Sequence, residues 1–289
     1  MKTIATALLV CLLALSASAD STINSANKYA YGANVGWLNL RGDTVNGACI
    51  GEFVCSNYLY GANIGWIHLG DGDPDNGWRY SNTSATDYGV NHDGKGHLRG
   101  YAWGANVGWI VFETNGDPRV DLLTGTMDGY VWGANIGWIS LSNALAYVKT
   151  DRLDSRPDTN ANGIPDDWEM WRVHGLGLLT ATGDFDYDNV PDVSEYASDT
   201  DPNESNDFLR ITQYVQQSGT NTLVTWSSTP SRLYRLECQT GMTNGAPWVD
   251  SGMGLFAPDG GLATYSTRNI TTEGVTQKLV RVKAVRPLR

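Results

Sequence analysis

The sequence predicts a mostly β protein in three parts: an N-terminal domain of aromatic β-repeats, a short acidic segment of ion-binding loops with a little helix, and a small C-terminal β-sandwich. Three observations carry that expectation. One aromatic motif recurs four times in the first half, 15 acidic residues against three basic ones crowd between Asp151 and Asp207, and short β-branched runs separated by Gly, Pro, Asn and Ser fill the chain from Phe208 on.

The four copies are Tyr29–Leu40, Tyr58–Leu69, Tyr101–Phe112 and Tyr130–Leu141, each built on Gly-Ala-Asn-(Val/Ile)-Gly-Trp. Their Trp residues, Trp37, Trp66, Trp109 and Trp138, are spaced 29, 43 and 29 apart, and the longer interval holds an inserted loop around Gly70–Thr86. Each copy reads as strand, turn, strand. Its arms are aromatic and β-branched, and Gly and Asn tolerate the left-handed backbone of a tight reversal. Alternation puts Leu38/Leu40, Ile67/Leu69, Ile110/Phe112 and Ile139/Leu141 on one core face, with the Trp on the other. Further strands are expected around Tyr88–Asn91 and Arg119–Leu123. One unit cannot bury its apolar face alone, so four must assemble, as a solenoid, a sandwich or a small barrel. The repeated rings have two readings. One is a structural aromatic ladder. The other is a platform for sugar rings, with Trp103, Trp109 and Trp132 as its candidate ligand-binding residues.

In the acidic segment the spacing points to a metal. Oxygen-bearing side chains at Asp158, Asn160, Asn162, Asp166 and Glu169 fall at positions 1, 3, 5, 9 and 12 of an EF-hand-type loop, with Gly163 at position 6 and the Ile164 carbonyl at position 7. Asp184, Asp186, Asp188, Asp192 and Glu195 repeat the pattern 26 residues later, with the Val190 carbonyl at position 7. Asn189 stands there where Gly is usual, and Asn is the next best residue for that backbone. Hard oxygens in this number suit calcium, two ions in all, better than the tighter octahedron of magnesium. Pro165 and Pro191 lead into helices of a turn or two, Asp166–Val173 and Val193–Ala197. Helices that short make a structural clamp, expected to act as a rigid spacer between two β domains. Asp199 and Asp201 are further capping or ligand candidates.

In the last part, strands are expected at Leu209–Thr212, Leu223–Trp226, Leu233–Cys238, Leu262–Ser266 and Lys278–Val285, with Val280 and Val282 facing in and Arg281 and Lys283 facing out. Cys238 shares an apolar strand face and reads as a buried, inert thiol. Cys49 and Cys55, six apart between strands, are a candidate disulfide, subject to geometry.

Composition bounds the function. Met1-Lys2, the apolar run Ile4–Leu15 and Ala17-Ser18-Ala19 read as a secretory signal peptide cut after Ala19. The boundaries are therefore 1–19 signal peptide, 20–148 repeats, 149–207 calcium segment and 208–289 sandwich. An exported address, extracellular, cell-surface or periplasmic, follows. No stretch reads as a transmembrane segment. A net charge of −11 argues against nucleic acid and anionic membranes as partners. His68, His92, His97 and His174 lack metalloenzyme spacing, and no nucleophile elbow occurs, so no catalytic residues are expected.

The Asp-rich loops followed by Trp168-Glu169 and by Glu195-Tyr196 and Asp199-Thr200-Asp201-Pro202 resemble the thrombospondin type 3-like calcium repeats of bacterial surface proteins. The Gly-Ala-Asn-(Val/Ile)-Gly-Trp repeats and the Arg286-Pro287-Leu288 ending are similar to those of uncharacterised bacterial exported proteins with the same three-part order. That resemblance implies calcium at the matched positions and a place outside the cytoplasm. Two functional expectations follow. The first is a calcium-stabilised structural or adhesive protein without catalysis, contacting a cell-envelope component or other copies of itself. The second is a carbohydrate-binding module that takes a polysaccharide on exposed repeat Trp residues.

Overall fold

Each repeat copy folds into one short hairpin, and the four hairpins close into a ring. The computed structural model describes residues 20–217, 220–240, 246–259, 264–271 and 278–289. The signal-peptide expectation and Leu262 lie outside the described residues. In chain order the first segment holds β1 (Ile23–Gly32), β2 (Gly36–Asn39), β3 (Cys49–Ile50), β4 (Cys55–Ser56), β5 (Tyr58–Gly61), β6 (Gly65–His68) and β7 (Val90–His92). It continues with β8 (Leu98–Gly104), β9 (Gly108–Phe112), β10 (Arg119–Val120), β11 (Met127–Asp128), β12 (Tyr130–Gly133), β13 (Gly137–Ser140) and β14 (Val148–Thr150). Antiparallel pairing runs β13-β12-β9-β8-β6-β5-β2-β1. It closes where β1 meets β13 again, Tyr31 opposite Ser140 and Gly32 opposite Ile139. The repeat domain is thus a closed eight-stranded barrel, and not a solenoid or a sandwich. The extra strands expected before the later copies appear as β7, paired to β8, and β10, paired to β11.

Alternation sorts the two barrel faces as the sequence suggests. Leu38, Ile67, Ile110 and Ile139 are buried inside, while Trp37, Trp66, Trp109 and Trp138 stand outside. Eight strands leave an interior that side chains just fill. Here they leave an apolar void of only about 30 Å³, so the barrel is a packed core and not a channel.

The turn works differently from the sequence expectation. The left-handed residue is the second glycine of each motif, with φ of +77° at Gly36 and +82° at Gly65. Asn34 is not in that conformation. Its side chain is a latch: Asn34 Nδ2 donates to the Ile136 carbonyl at 3.1 Å, Asn63 to Val35 at 3.0 Å, Asn106 to Ile64 at 3.1 Å and Asn135 to Val107 at 3.0 Å. Each hairpin tip therefore holds the one before it, and Asn34 closes the circle with the last.

The disulfide expectation is corrected by register. Cys49 pairs with Ser56, and Cys55 with Ile50, so the two cysteines are not opposite each other in the ribbon. Neighbouring positions on paired strands face opposite sides. Cys55 enters the barrel core, and both thiols are free and buried.

The acidic segment supplies α1 (Asp166–Arg172) and α2 (Asp192–Ser198), each within about a residue of its expected span. The chain ends in β15 (Ile211–Gln216), β16 (Asn221–Ser227), β17 (Leu233–Thr240), β18 (Val249–Asp250), β19 (Tyr265–Thr271) and β20 (Lys278–Val285). These form two three-stranded sheets, β15-β16-β19 and β18-β17-β20. Val224, Trp226 and Ile270 of one pack on Tyr234 and Leu236 of the other, the expected small sandwich.

The acidic segment is a wedge and not a spacer. Its apolar residues Ile164, Trp168, Leu179 and Tyr196 bury themselves against Phe53 and Trp78 of the barrel segment, because a helix of seven residues has no core of its own. From the other side, Arg232 of the sandwich donates to the Tyr196 carbonyl at 2.8 Å and the Ala197 carbonyl at 3.1 Å, capping the end of α2. The C-terminal tail returns to the barrel. Arg286 donates to Glu52 at 2.8 Å, and Leu288 packs on the barrel core.

Candidate metal centre

The two loops share one backbone plan. Position 4 is left-handed in both, with φ of +56° at Ala161 and +64° at Tyr187. So is position 6, with φ of +89° at Gly163 and +74° at Asn189. These bends turn the odd-numbered side chains inward. Pro165 and Pro191 then sit extended just before the helices, with φ of −64° and −63°. The helices carry the position-12 glutamates back over the loops, where Glu169 and Glu195 are fully buried.

Most first-turn oxygens also hold the loop in shape. Asp158 accepts from Asn162 N at 3.1 Å and Gly163 N at 2.8 Å, and Asp184 accepts from Asp188 N at 3.1 Å and Asn189 N at 2.8 Å. The position-9 carboxylates are loop closers. Asp166 accepts from Thr159 N at 2.9 Å, and Asp192 from Phe185 N at 2.8 Å and Thr180 N at 2.9 Å. That engagement fits position 9 of such loops, which often reaches its ion through water.

In the second loop, ligand atoms of Asp184, Asp186 and Asp188 all lie within 4.8 Å of one another, an arrangement compatible with a metal site. Asp186 Oδ2, Asp188 Oδ2 and both oxygens of Glu195 are buried without a hydrogen-bond partner. Buried carboxylate oxygens normally have partners, and unpaired ones are costly. Burial, and then the charges of Asp186, Asp188, Asp192 and Asp184, push the Glu195 carboxyl up to about 8. Burial and Asp188 raise Asp186 as well. A cation among these oxygens removes both penalties, so the donor set fits one.

The first loop brings the same positions together, but the amides of Asn160 and Asn162 fill the partner role. Asn160 Nδ2 donates to Glu169 Oε2 at 3.2 Å and Asn162 Nδ2 to Oε1 at 3.2 Å. Burial still raises the Glu169 carboxyl, against the pull of those bonds and of Gly177 N.

Asp199 and Asp201 are structural here. Asp199, the left-handed C-cap of α2, accepts from Trp168 Nε1 at 2.9 Å and Arg172 at 3.2 Å, and from the Ser231 hydroxyl. Burial raises its carboxyl, but Arg232 and Arg172 outweigh that and hold it below the usual range. Asp201 accepts from Arg172 at 3.3 Å. The local pattern showed the acids but not these distant arginines.

The repeat tryptophans stand on the outer barrel wall. Trp103, Trp109 and Trp132 are 38%, 42% and 40% exposed, so they are neither buried nor brought to the loops. Ring contacts run within hairpins, as in Tyr31–Trp37 at 4.9 Å and Trp103–Trp109 at 4.7 Å, and Tyr88, outside the motif copies, packs on Trp109 at 5.0 Å and on His68 at 5.7 Å. Comparison with protein-family models, with curated proteins and with solved structures returned no match.

Proposed function

We propose that this chain is an exported, calcium-clamped adhesive protein that works by contact and not by catalysis. Calcium occupies both loops, held by Asp158, Asn160, Asn162, the Ile164 carbonyl, Asp166 and Glu169 in one. In the other the holders are Asp184, Asp186, Asp188, the Val190 carbonyl, Asp192 and Glu195. The observation that carries the reading is the set of buried, unpartnered oxygens on Asp186, Asp188 and Glu195. They lie at the root of α2, which contacts both the sandwich and, through the Arg286–Glu52 tail, the barrel segment. An ion there sets the rigidity of the junction between the two β domains. The barrel wall supplies the contact face.

The test uses mature protein, Asp20–Arg289, with a cell-envelope fraction in calcium and in EDTA. Retention in calcium that falls in EDTA is expected. Retention and hydrodynamic size that ignore EDTA would remove calcium from the adhesive role.

A further inference from the structure

The barrel wall carries three large rings per hairpin, twelve in all, each 37–51% exposed. Together they expose on the order of 1,000 Å² of aromatic surface, beyond the roughly 300–600 Å² of the largest apolar patch on an ordinary monomer. Folding does not require that exposure, since the core faces inward and is full. The wall is also uncharged. In a chain of net charge −11, no outward position on β1–β2, β5–β6, β8–β9 or β12–β13 within the motif copies carries Asp, Glu, Lys or Arg.

The paired rings of a hairpin are tilted, by 59° for Tyr31–Trp37 and 54° for Tyr60–Trp66, so they form ridges and not a flat plate. Between one hairpin and the next runs a seam whose register places the residue two positions after the motif Trp beside a ring of the next hairpin. Asn39 lies opposite Tyr60, His68 opposite Trp103, and Ser140 opposite Tyr31. The fourth seam has Val111 opposite Trp132. Asn39 uses its Oδ1 on Arg41 N at 2.9 Å, which leaves its amide NH₂ for another partner.

We infer that these seams bind neutral polysaccharide, at three sites per chain and not four. The inference rests on the contact reading above and names its ligand class. A sugar ring has an apolar C–H face for the aromatic wall and hydroxyl edges for the seam. The uncharged wall suits a neutral chain, and an acidic one meets the repulsion of the whole molecule. The Asn39, His68 and Ser140 seams offer both elements, His68 through Nε2 because its Nδ1 meets the Tyr88 hydroxyl at 2.8 Å, and Ser140 as an acceptor because its hydroxyl donates to the Ser142 carbonyl, and the Val111 seam offers rings alone. A lipid surface fits less well. The hairpin tips present exposed Asn34 and its equivalents, whose desolvation is costly.

The test is titration of the full calcium-loaded chain with cellotriose, xylotriose, mannotriose and chitotriose by calorimetry, beside phosphatidylcholine vesicles. Saturable binding of at least one trisaccharide at about three per chain is expected. Asn39→Ala lowers the stoichiometry by one and Val111→Asn raises it by one, and neither touches the core. No saturable binding to any of the four sugars overturns the inference, as does vesicle binding in their place or a stoichiometry indifferent to both substitutions. Envelope retention that persists without sugar binding, but is lost in Trp103→Ala, sinks the sugar and leaves the adhesive reading standing.

Discussion

The two ion loops have the same backbone and different answers to the same electrostatic problem. In the first, the inner atoms at positions 3 and 5 are the amide nitrogens of Asn160 and Asn162, and both donate to Glu169. In the second, the corresponding atoms are Asp186 Oδ2 and Asp188 Oδ2, and they and Glu195 are unpartnered. An N–H where the other loop has an oxygen decides whether the loop closes on itself or leaves oxygens open to a cation. To take an ion, the first loop must break its own Asn–Glu hydrogen bonds. The second has no such bonds to its position-12 glutamate. Similar spacing therefore does not mean similar affinity, because more carboxylates and fewer competing bonds favour the second site.

The largest expected effect follows from that asymmetry. Calorimetric titration of calcium-depleted protein should show the second loop filling first. Glu195→Gln should weaken the tight site by about 100-fold or more, while Glu169→Gln should leave it within about threefold. Equal losses from the two substitutions would erase the comparison.

Exchanging the inner groups should exchange the behaviours. Asp186→Asn with Asp188→Asn supplies the two donors that the second loop lacks. In EDTA that variant should be more stable than the parent by about 1–3 kcal/mol, the usual cost of leaving buried polar atoms unpaired, and it should lose most of its calcium response. Asn160→Asp with Asn162→Asp should do the reverse. Urea midpoints in EDTA and in calcium measure both. If the first variant is less stable in EDTA, the orphaned oxygens are not a source of strain.

The contrast was partly legible in the sequence. The loop backbone was readable because all its oxygen-bearing positions lie within one stretch of twelve residues, so spacing alone fixes the bends. The hairpins were readable for the same local reason. Barrel closure was not, since Gly32 pairs with Ile139 over more than a hundred residues, and nothing in either motif announces its partner. The tip asparagines looked like turn formers because their role, a bond to another copy, appears only after the ring closes. The cysteine pairing failed on register, where one position changes the face. Asp199 was legible as a capping or ligand candidate, but its partners Trp168 and Arg172, like the Glu52 partner of Arg286, appear only once the wedge is packed.

A pH series sharpens the comparison further. Without an ion, burial and four neighbouring aspartates hold the Glu195 carboxyl up to about 8 in the folded chain, against about 4.3 unfolded. The native state then binds more protons than the unfolded one in that window. Its stability is full below the unfolded value and is lost as pH rises toward 8. The melting temperature in EDTA should fall by several degrees between pH 5 and pH 8. Saturating calcium takes the proton's place at Glu195, so that fall should vanish, and calcium affinity should rise over the same range. Asp186→Asn with Asp188→Asn should flatten the EDTA profile. A profile in EDTA that rises with pH would reverse the sign and discard the account.

The smallest effect concerns the one position where the backbone is shared and the residue is not. Gly163 and Asn189 both sit at left-handed φ, +89° and +74°. A Cβ added at Gly163 meets only Val193 Cγ2, at an ordinary 3.6 Å, so space does not select glycine there. Backbone preference does. Gly163→Asn should therefore cost no more than about 0.5 kcal/mol in urea unfolding with calcium present, and Gly163→Ala about 1–2 kcal/mol, because Asn tolerates this conformation and Ala does not. Matching losses in the two variants would mean that the left-handed turn is not what position 6 tests. The loops would then differ at their bend as well as at their inner ligands. A near-silent Gly163→Asn leaves the Asn/Asp exchange at positions 3 and 5 as the source of the unequal calcium affinity proposed for them.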